Sequence, residues 1–188
     1  MLFRRRHFRF QTKLFLFLPA FFLTACAGGW AKSNPAGLEE KIKQTVIPHA
    51  ESLAALPAVV EAVKKTNAAF PSKMTNEKWK QLPVSSELVQ RYQNNAAAKA
   101  LMGAKAGYVA EAFVNAADGS KVAFLEKTTF WTHAHAAKHK QPMQGKTWVG
   151  DLQLDDSSGS NQVQISVPVK DGGKIIGSLV IGAAITKL

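Results

Sequence analysis

His133, His135 and His139 fall in one short stretch of the chain, TTFWTHAHAAKHK. In a strand, His133 and His135 share a face; in a helix, His135 and His139 do, one turn apart. Neutral imidazole is a ligand for zinc or copper, so the three form a candidate metal group that needs an Asp or Glu from elsewhere. The same stretch also reads as a solvated connector, or as one that lends a single histidine, His133, to an organic ligand. Trp131 and Trp148 flank it and can serve as pocket walls or as core. Asp151, in TWVGDLQL, is the leading polar candidate. Strand alternation puts it on the face opposite Trp148 and Leu152, where it can receive an ammonium or a hydroxyl. Glu111 is expected to share a strand face with Val109 and Phe113, and Tyr108 completes the candidate ligand-binding set. Asp155 and Asp156 in DDSSG read as turn formers.

These side chains do not assemble into a recognisable catalytic pattern. The chain has no G-x-S-x-G elbow, P-loop, H-E-x-x-H or dinucleotide fingerprint. The reading is therefore a non-enzyme with no cofactor. Charge is no stronger a guide. There are 24 Lys and Arg against 13 Asp and Glu, but Arg4, Arg5, Arg6, Arg9 and Lys13 precede the first candidate domain. The remaining lysines are scattered as on a solvated helix face, without the clustered basic patch and interleaved aromatics of a nucleic-acid site.

The leading residues have their own chemistry. A basic stretch without acids is followed by LFLFLPAFFLTA, an apolar run too short for a bilayer span of ~20 residues, which reads as a secretory signal over 1–25. LTAC ends it like a bacterial lipobox, making Cys26 a candidate lipidation site; cleavage within ACA is the competing reading. Cys26 is the single cysteine, so no internal disulfide is possible. Residues 26–37 read as a tether.

The elements that must position the candidates follow. Leu38, Ile42, Val46, Leu53, Leu56, Val60 and Val63 recur at mostly helical spacing, broken by Pro48 and Pro57. Thr75 or Asn76 can cap a short helix with Trp79 and Leu82. Ser85 or Ser86 opens a further helix through Leu88, Val89, Tyr92, Ala96 and Leu101, ended by Gly103 and Gly107. From residue 108 the pattern alternates, with NAADG, DDSSGS and KDGGK as turns, which predicts five strands in a mostly antiparallel sheet. Helices first and strands after make the class α+β, with a helical part over 38–106 and a sheet part over 107–188 of a single domain.

In that order, VVEAVKKTN, EKWKQLP, FVNAADGSKVA, TTFWTHAH and WVGDLQLDDSSGSNQVQISVPVKDGGKIIGSLVIG resemble the extracytoplasmic Cache or PDC sensor family, whose sheet is PAS-like. The resemblance covers Leu38 to Leu188 and is closest to small periplasmic members with a signal and one sensor domain. It implies N-terminal helices on a five-stranded sheet and a small organic ligand, such as a carboxylate, an amino acid or a related metabolite. It also implies a periplasmic or cell-envelope location and a membrane-bound signalling partner, since no output domain follows. Relatives tend to carry an acidic pair just beyond the aromatic–Trp pair; here Phe130 and Trp131 are followed by Thr132, His133, Ala134 and His135. A structural envelope lipoprotein without a ligand, and a histidine-based metal binder, are the alternatives.

Overall fold

The computed structural model describes residues 37–69, 72–155 and 160–188. The signal segment, Cys26, most of the tether and Asp156 lie outside the described residues. The chain opens with α1 (Leu38–Lys41), a π-helical segment (Ile42–Val46) and α2 (Ile47–Ala54). Pro48 stands in the first turn of α2, where its missing N–H costs little, directly after the π segment that absorbs the change in hydrogen bonding. Pro57 starts α3 (Pro57–Ala68), bent 57° from the preceding helix. One face of these helices, with Leu38, Ile42, Val46, Leu53, Val59 and Val63, is buried against the sheet. Each such aliphatic side chain contributes about 1.5–3 kcal/mol.

Thr75 caps α4 (Asn76–Gln81) and Ser86 caps α5 (Glu87–Gln93), each side chain accepting a backbone N–H of the first turn. The single helix expected from Ser85 to Gly103 is in fact two. Asn95 interrupts it by capping α6 (Ala96–Ala104) with Oδ1 while its Nδ2 donates to the Val122 carbonyl, 2.8 Å away. Gly103 lies inside α6 rather than ending it.

Five strands follow: β1 (Val109–Ala116), β2 (Lys121–Phe124), β3 (Trp148–Asp155), β4 (Ser160–Asp171) and β5 (Lys174–Ala184), with α7 (Ala137–Met143) between β2 and β3. Every pairing is antiparallel and the order is β2-β1-β5-β4-β3, so the last strand is the centre of the sheet. The β4–β5 turn uses Gly172 and Gly173, both at positive φ (53° and 87°), as a tight hairpin requires. The class is therefore α+β, helices packed on a five-stranded antiparallel sheet, as expected.

The two sheet faces differ. Val163, Ile165, Val167, Leu179 and Ile181 face the helices. The opposite face carries an aromatic cluster of Trp79, Phe113, Phe124 and Trp131 with Val89 and Val180. Beside it stand buried polar residues: Asn115, Lys121, Gln162, Ser166 and Ser178. The connector from Leu125 to Thr147 covers this face, and it is fastened at the β1–β2 turn. The His133 N–H donates to the Gly119 carbonyl at 2.9 Å, and a Cβ on Gly119 would overlap the backbone of Ala134.

Gly119 is also at φ 82°. Gly119→Ala combines a left-handed L-residue with a backbone clash, so it is expected to lower stability by about 2 kcal/mol or more in urea unfolding. Gly103→Ala, inside α6 with nothing near its Cβ position, is expected to raise stability by about 0.5–1 kcal/mol.

Candidate functional site

Where the connector leaves the polar face uncovered, a cleft of about 620 Å³ opens. Its lining joins β1 (Glu111, Phe113), the connector (Lys127 to Phe130, and His133), α7 (Lys138), β3 (Trp148, Gly150, Asp151, Gln153, Leu154) and β4 (Gln162, Gln164). Two register shifts create that grouping. One between Val149 and Leu152 turns Asp151 to the same side as Trp148, while Leu152 packs toward the main core. Simple alternation, which set Asp151 opposite Trp148, fails here because the extra residue resets the two-residue period. The other shift, between Val109 and Glu111, places Glu111 with Phe113 but sends Val109 into the helix-side core. Gly150 makes room for the indole of Trp148, whose Cη2 would stand 2.7 Å from a Cβ at that position.

Lys138 Nζ donates to Gln164 Oε1 at 2.9 Å, and Gln164 Nε2 donates to Glu111 Oε1, tying α7 to β4 and β1. Gly182 on β5 lets these side chains cross the sheet, since a Cβ there would overlap Gln162 Oε1 and crowd Glu111. Behind the cleft lies a fully buried lysine. Lys121 Nζ donates to Asn115 Oδ1 at 2.6 Å, lies the same 2.6 Å from His133 Nδ1, and sits 4.5 Å from the centre of the Phe113 ring. Asn115 Nδ2 donates to Ser178 Oγ at 3.0 Å, Ser178 stands 2.8 Å from His139 Nδ1, and His139 Nε2 lies 3.3 Å from the Ala117 carbonyl. The bonds run in one direction, from an ammonium to a carbonyl.

The ionisation of these groups follows from burial. Burial holds Lys121 well below the ordinary lysine range; nearby Lys138 adds to the effect and Glu111 opposes it. Lys138 is lowered by burial and partly restored by Glu111. His133 is pushed down to about 2, by burial first and then by Lys121, Lys138 and His139. His139 is lowered by burial, against the pull of its bond to Ala117.

The cleft thus brings together Glu111, His133, Trp148 and Asp151. Trp131 is elsewhere: it is buried in the aromatic cluster, 5.2 Å from the ring centres of both Trp79 and Tyr92, and does not line the cleft. Tyr108 is on the helix side of the sheet, edge-on to His49 with its hydroxyl 3.5 Å from the Thr45 carbonyl. The histidines do not converge on a metal. His135 is exposed and precedes α7, while the ring nitrogens of His139 face Ser178 and Ala117, and His133 Nδ1 faces Lys121. Among the described residues no group of three His, Cys, Asp or Glu can hold a metal ion. The connector is not a solvated loop either, since His139 and Pro142 are buried.

Sequence reasoning missed Phe113, Lys121, Lys138 and Gln164. A signal for part of this was present. In NQVQISVPV, Gln162, Gln164 and Ser166 alternate with Val163, Ile165 and Val167, which marks a polar strand face; nothing local says that this face is covered.

No protein-family model matches the sequence, and no curated protein matches it. Solved structures do. The sensor domain of the Vibrio cholerae histidine kinase DctB aligns at 13% identity over 79% of this chain and 52% of that one, with a TM-score of 0.49. The Escherichia coli DcuS sensor domain aligns at 10% identity over 78% of this chain and 91% of that one, with a TM-score of 0.45. The sensory domain of the Campylobacter jejuni chemoreceptor Tlp3, solved with isoleucine bound, aligns at 14% identity over 81% and 64%, with a TM-score of 0.37. The fold is similar to that of Cache or PDC sensor domains. The likeness is one of fold alone, and the chain spans about half the length of the DctB domain.

The histidines set an acid limit on stability. Burial lowers His49, His133 and His139 in the folded chain. The unfolded chain takes up a proton at each near pH 6.5 and the folded chain does not, so stability present above that pH is lost as pH falls. The buried His133 and His139 each contribute a slope of up to about 1.4 kcal/mol per pH unit between their two values, with the more exposed His49 adding less, and His133 continues to contribute down to about 2. Urea unfolding from pH 8 to pH 4 is expected to show this loss, and His133→Gln is expected to make it shallower.

Proposed function

We propose that this chain is an extracytoplasmic binding protein of the sensor type, which takes a small organic acid, an amino acid or a related metabolite in the cleft. One observation supports the reading above the others. The cleft is lined mostly by polar groups, Lys138, Gln164, Glu111, His133 and Asp151 among them, with Phe113, Trp148, Phe130 and Leu154 as its apolar walls. Convergent polar groups can orient a small polar ligand and the aromatic walls add contact area. The signal-like leader and the lipobox at Cys26 support export and a lipid anchor in a bacterial envelope. Action on a membrane-bound signalling partner is part of the same proposal.

The test is a thermal-shift screen with organic acids, amino acids, purines and divalent metals. A ligand present at a hundred times its Kd stabilises the folded state by about 2.7 kcal/mol, expected to raise Tm by roughly 5–10 °C in a domain of this size. Trp148→Ala and Lys138→Met are expected to remove most of the shift, and Trp131→Ala to destabilise the protein while the shift persists. A folded sample that responds to nothing in the panel would refute the reading and leave a structural envelope lipoprotein.

A further inference from the structure

An ammonium has three donors and no acceptor. Among the described residues, Lys121 finds only neutral partners for them: Asn115 Oδ1, His133 Nδ1 and the face of Phe113. Carboxylates normally neutralise a buried cation. A protonated Lys121 can only donate, and an Nδ1 that accepts from it leaves the proton of a neutral His133 on Nε2. The ring is held in that attitude by stacking on Phe113, with centroids 5.1 Å apart and an interplanar angle of 18°, and by the edge of Phe130 at 6.1 Å. With Nδ1 turned to the buried lysine, Nε2 is the nitrogen available to the cleft that His133 lines.

We propose that Lys121 is a positioning residue that fixes His133 as an Nε2–H donor on the cleft wall, and that this wall seats the anionic group of the ligand. The inference rests on the small-ligand reading above and narrows its chemistry. Lys138 stands beside the seat, 5.6 Å from the centre of the same Phe113 ring. The charged and titratable groups around His133 and along the cleft are Lys121 from β2, Lys138 and His139 from α7, Lys127 from the connector, Glu111 from β1 and Asp151 from β3, so three lysines stand against two carboxylates. A carboxylate or phosphate oxygen accepting from His133 Nε2–H would meet a preset donor and add negative charge to that of Glu111 near Lys121. Burial lowers both Lys121 and Lys138 against the pull of Glu111, and a further negative charge beside them would favour their charged forms.

Long-range ¹H–¹⁵N spectra of the imidazoles test this directly. At pH 7 the wild-type protein is expected to show His133 as the neutral Nε2–H tautomer. Lys121→Met should abolish the tautomer preference, whereas Lys121→Gln, which keeps an N–H for Nδ1 without the charge, should retain it. Titration with succinate, benzoate and inorganic phosphate is expected to move the His133 Nε2 resonance for at least one of the three, and this distinguishes carboxylate from phosphate. Affinity for that anion should fall at least tenfold in Lys121→Met and less in Lys121→Gln. A proton on Nδ1, a doubly protonated ring at pH 7, or equal anion affinity in wild type and Lys121→Met would overturn the proposal. A cleft that binds a neutral metabolite but none of the three anions overturns the anion seat and leaves the small-ligand reading standing. Binding of nothing at all overturns both.

Discussion

A lysine with no exposed surface is the constraint around which the second face of the sheet is organised. Leaving the Lys121 ammonium unpaired would cost several kcal/mol, so acceptors have to be brought to it. Asn115 is supplied by the neighbouring strand, across the turn from Lys121. His133 has to be supplied by the connector, twelve residues on in sequence. This is why the connector is pinned at Gly119 rather than left free. From Asn115 the chain of donors continues through Ser178 and His139 to a carbonyl of the β1–β2 turn, so one network joins β1, β2, β5, α7 and the connector. In a low-dielectric interior such a chain rigidifies the parts it links, because each lost bond leaves a buried polar group without a partner.

The aromatic cluster closes the other end of the same face. Trp79 Nε1 donates to the Thr128 carbonyl at 2.7 Å, fastening α4 to the start of the connector. Trp131 and Phe124 pack against that indole. The two anchors, Trp79 near Thr128 and Lys121 near His133, hold the segment between them by its ends. The cleft is the part of the polar face that neither anchor covers.

The strands, the turns and the α+β class could be read from alternation and from Gly and Asp at turn positions, since those signals are local. The short helix at Trp79 and its cap could be read for the same reason. The split at Asn95 was hidden because its cause is distant: the side chain bonds Val122 on β2 as well as capping α6. The site was legible in part. Glu111, His133, Trp148 and Asp151 were singled out and line the cleft, but Val109 leaves the face that Glu111 shares with Phe113, and Asp151 stands on the side of Trp148 rather than opposite it, because each lies beside a register shift that periodicity does not announce. Lys121 escaped notice because a lysine after a D-G turn normally reads as solvated; only the fold shows it buried.

The two ends of the cleft differ in what they can do. At the inner end, Lys121, Phe113 and the network behind them fix the ring of His133, so that surface is ordered in advance of any contact. At the outer end, Phe130 and Leu154 are 40% and 63% exposed, with Lys80 only 4.9 Å from the centre of the Phe130 ring. That end has apolar area still in contact with water, and covering it is where further hydrophobic gain is available. Lys138 stands between the two ends and is also the tie from α7 to Gln164 and Glu111. A charge placed near Lys138 therefore acts on a hydrogen bond that helps hold α7 to the sheet, while His139 and Pro142 keep the helix seated. The charge in the cleft and the position of α7 are thus coupled through one side chain, because the same ammonium that lines the cleft holds the helix to β4 and β1.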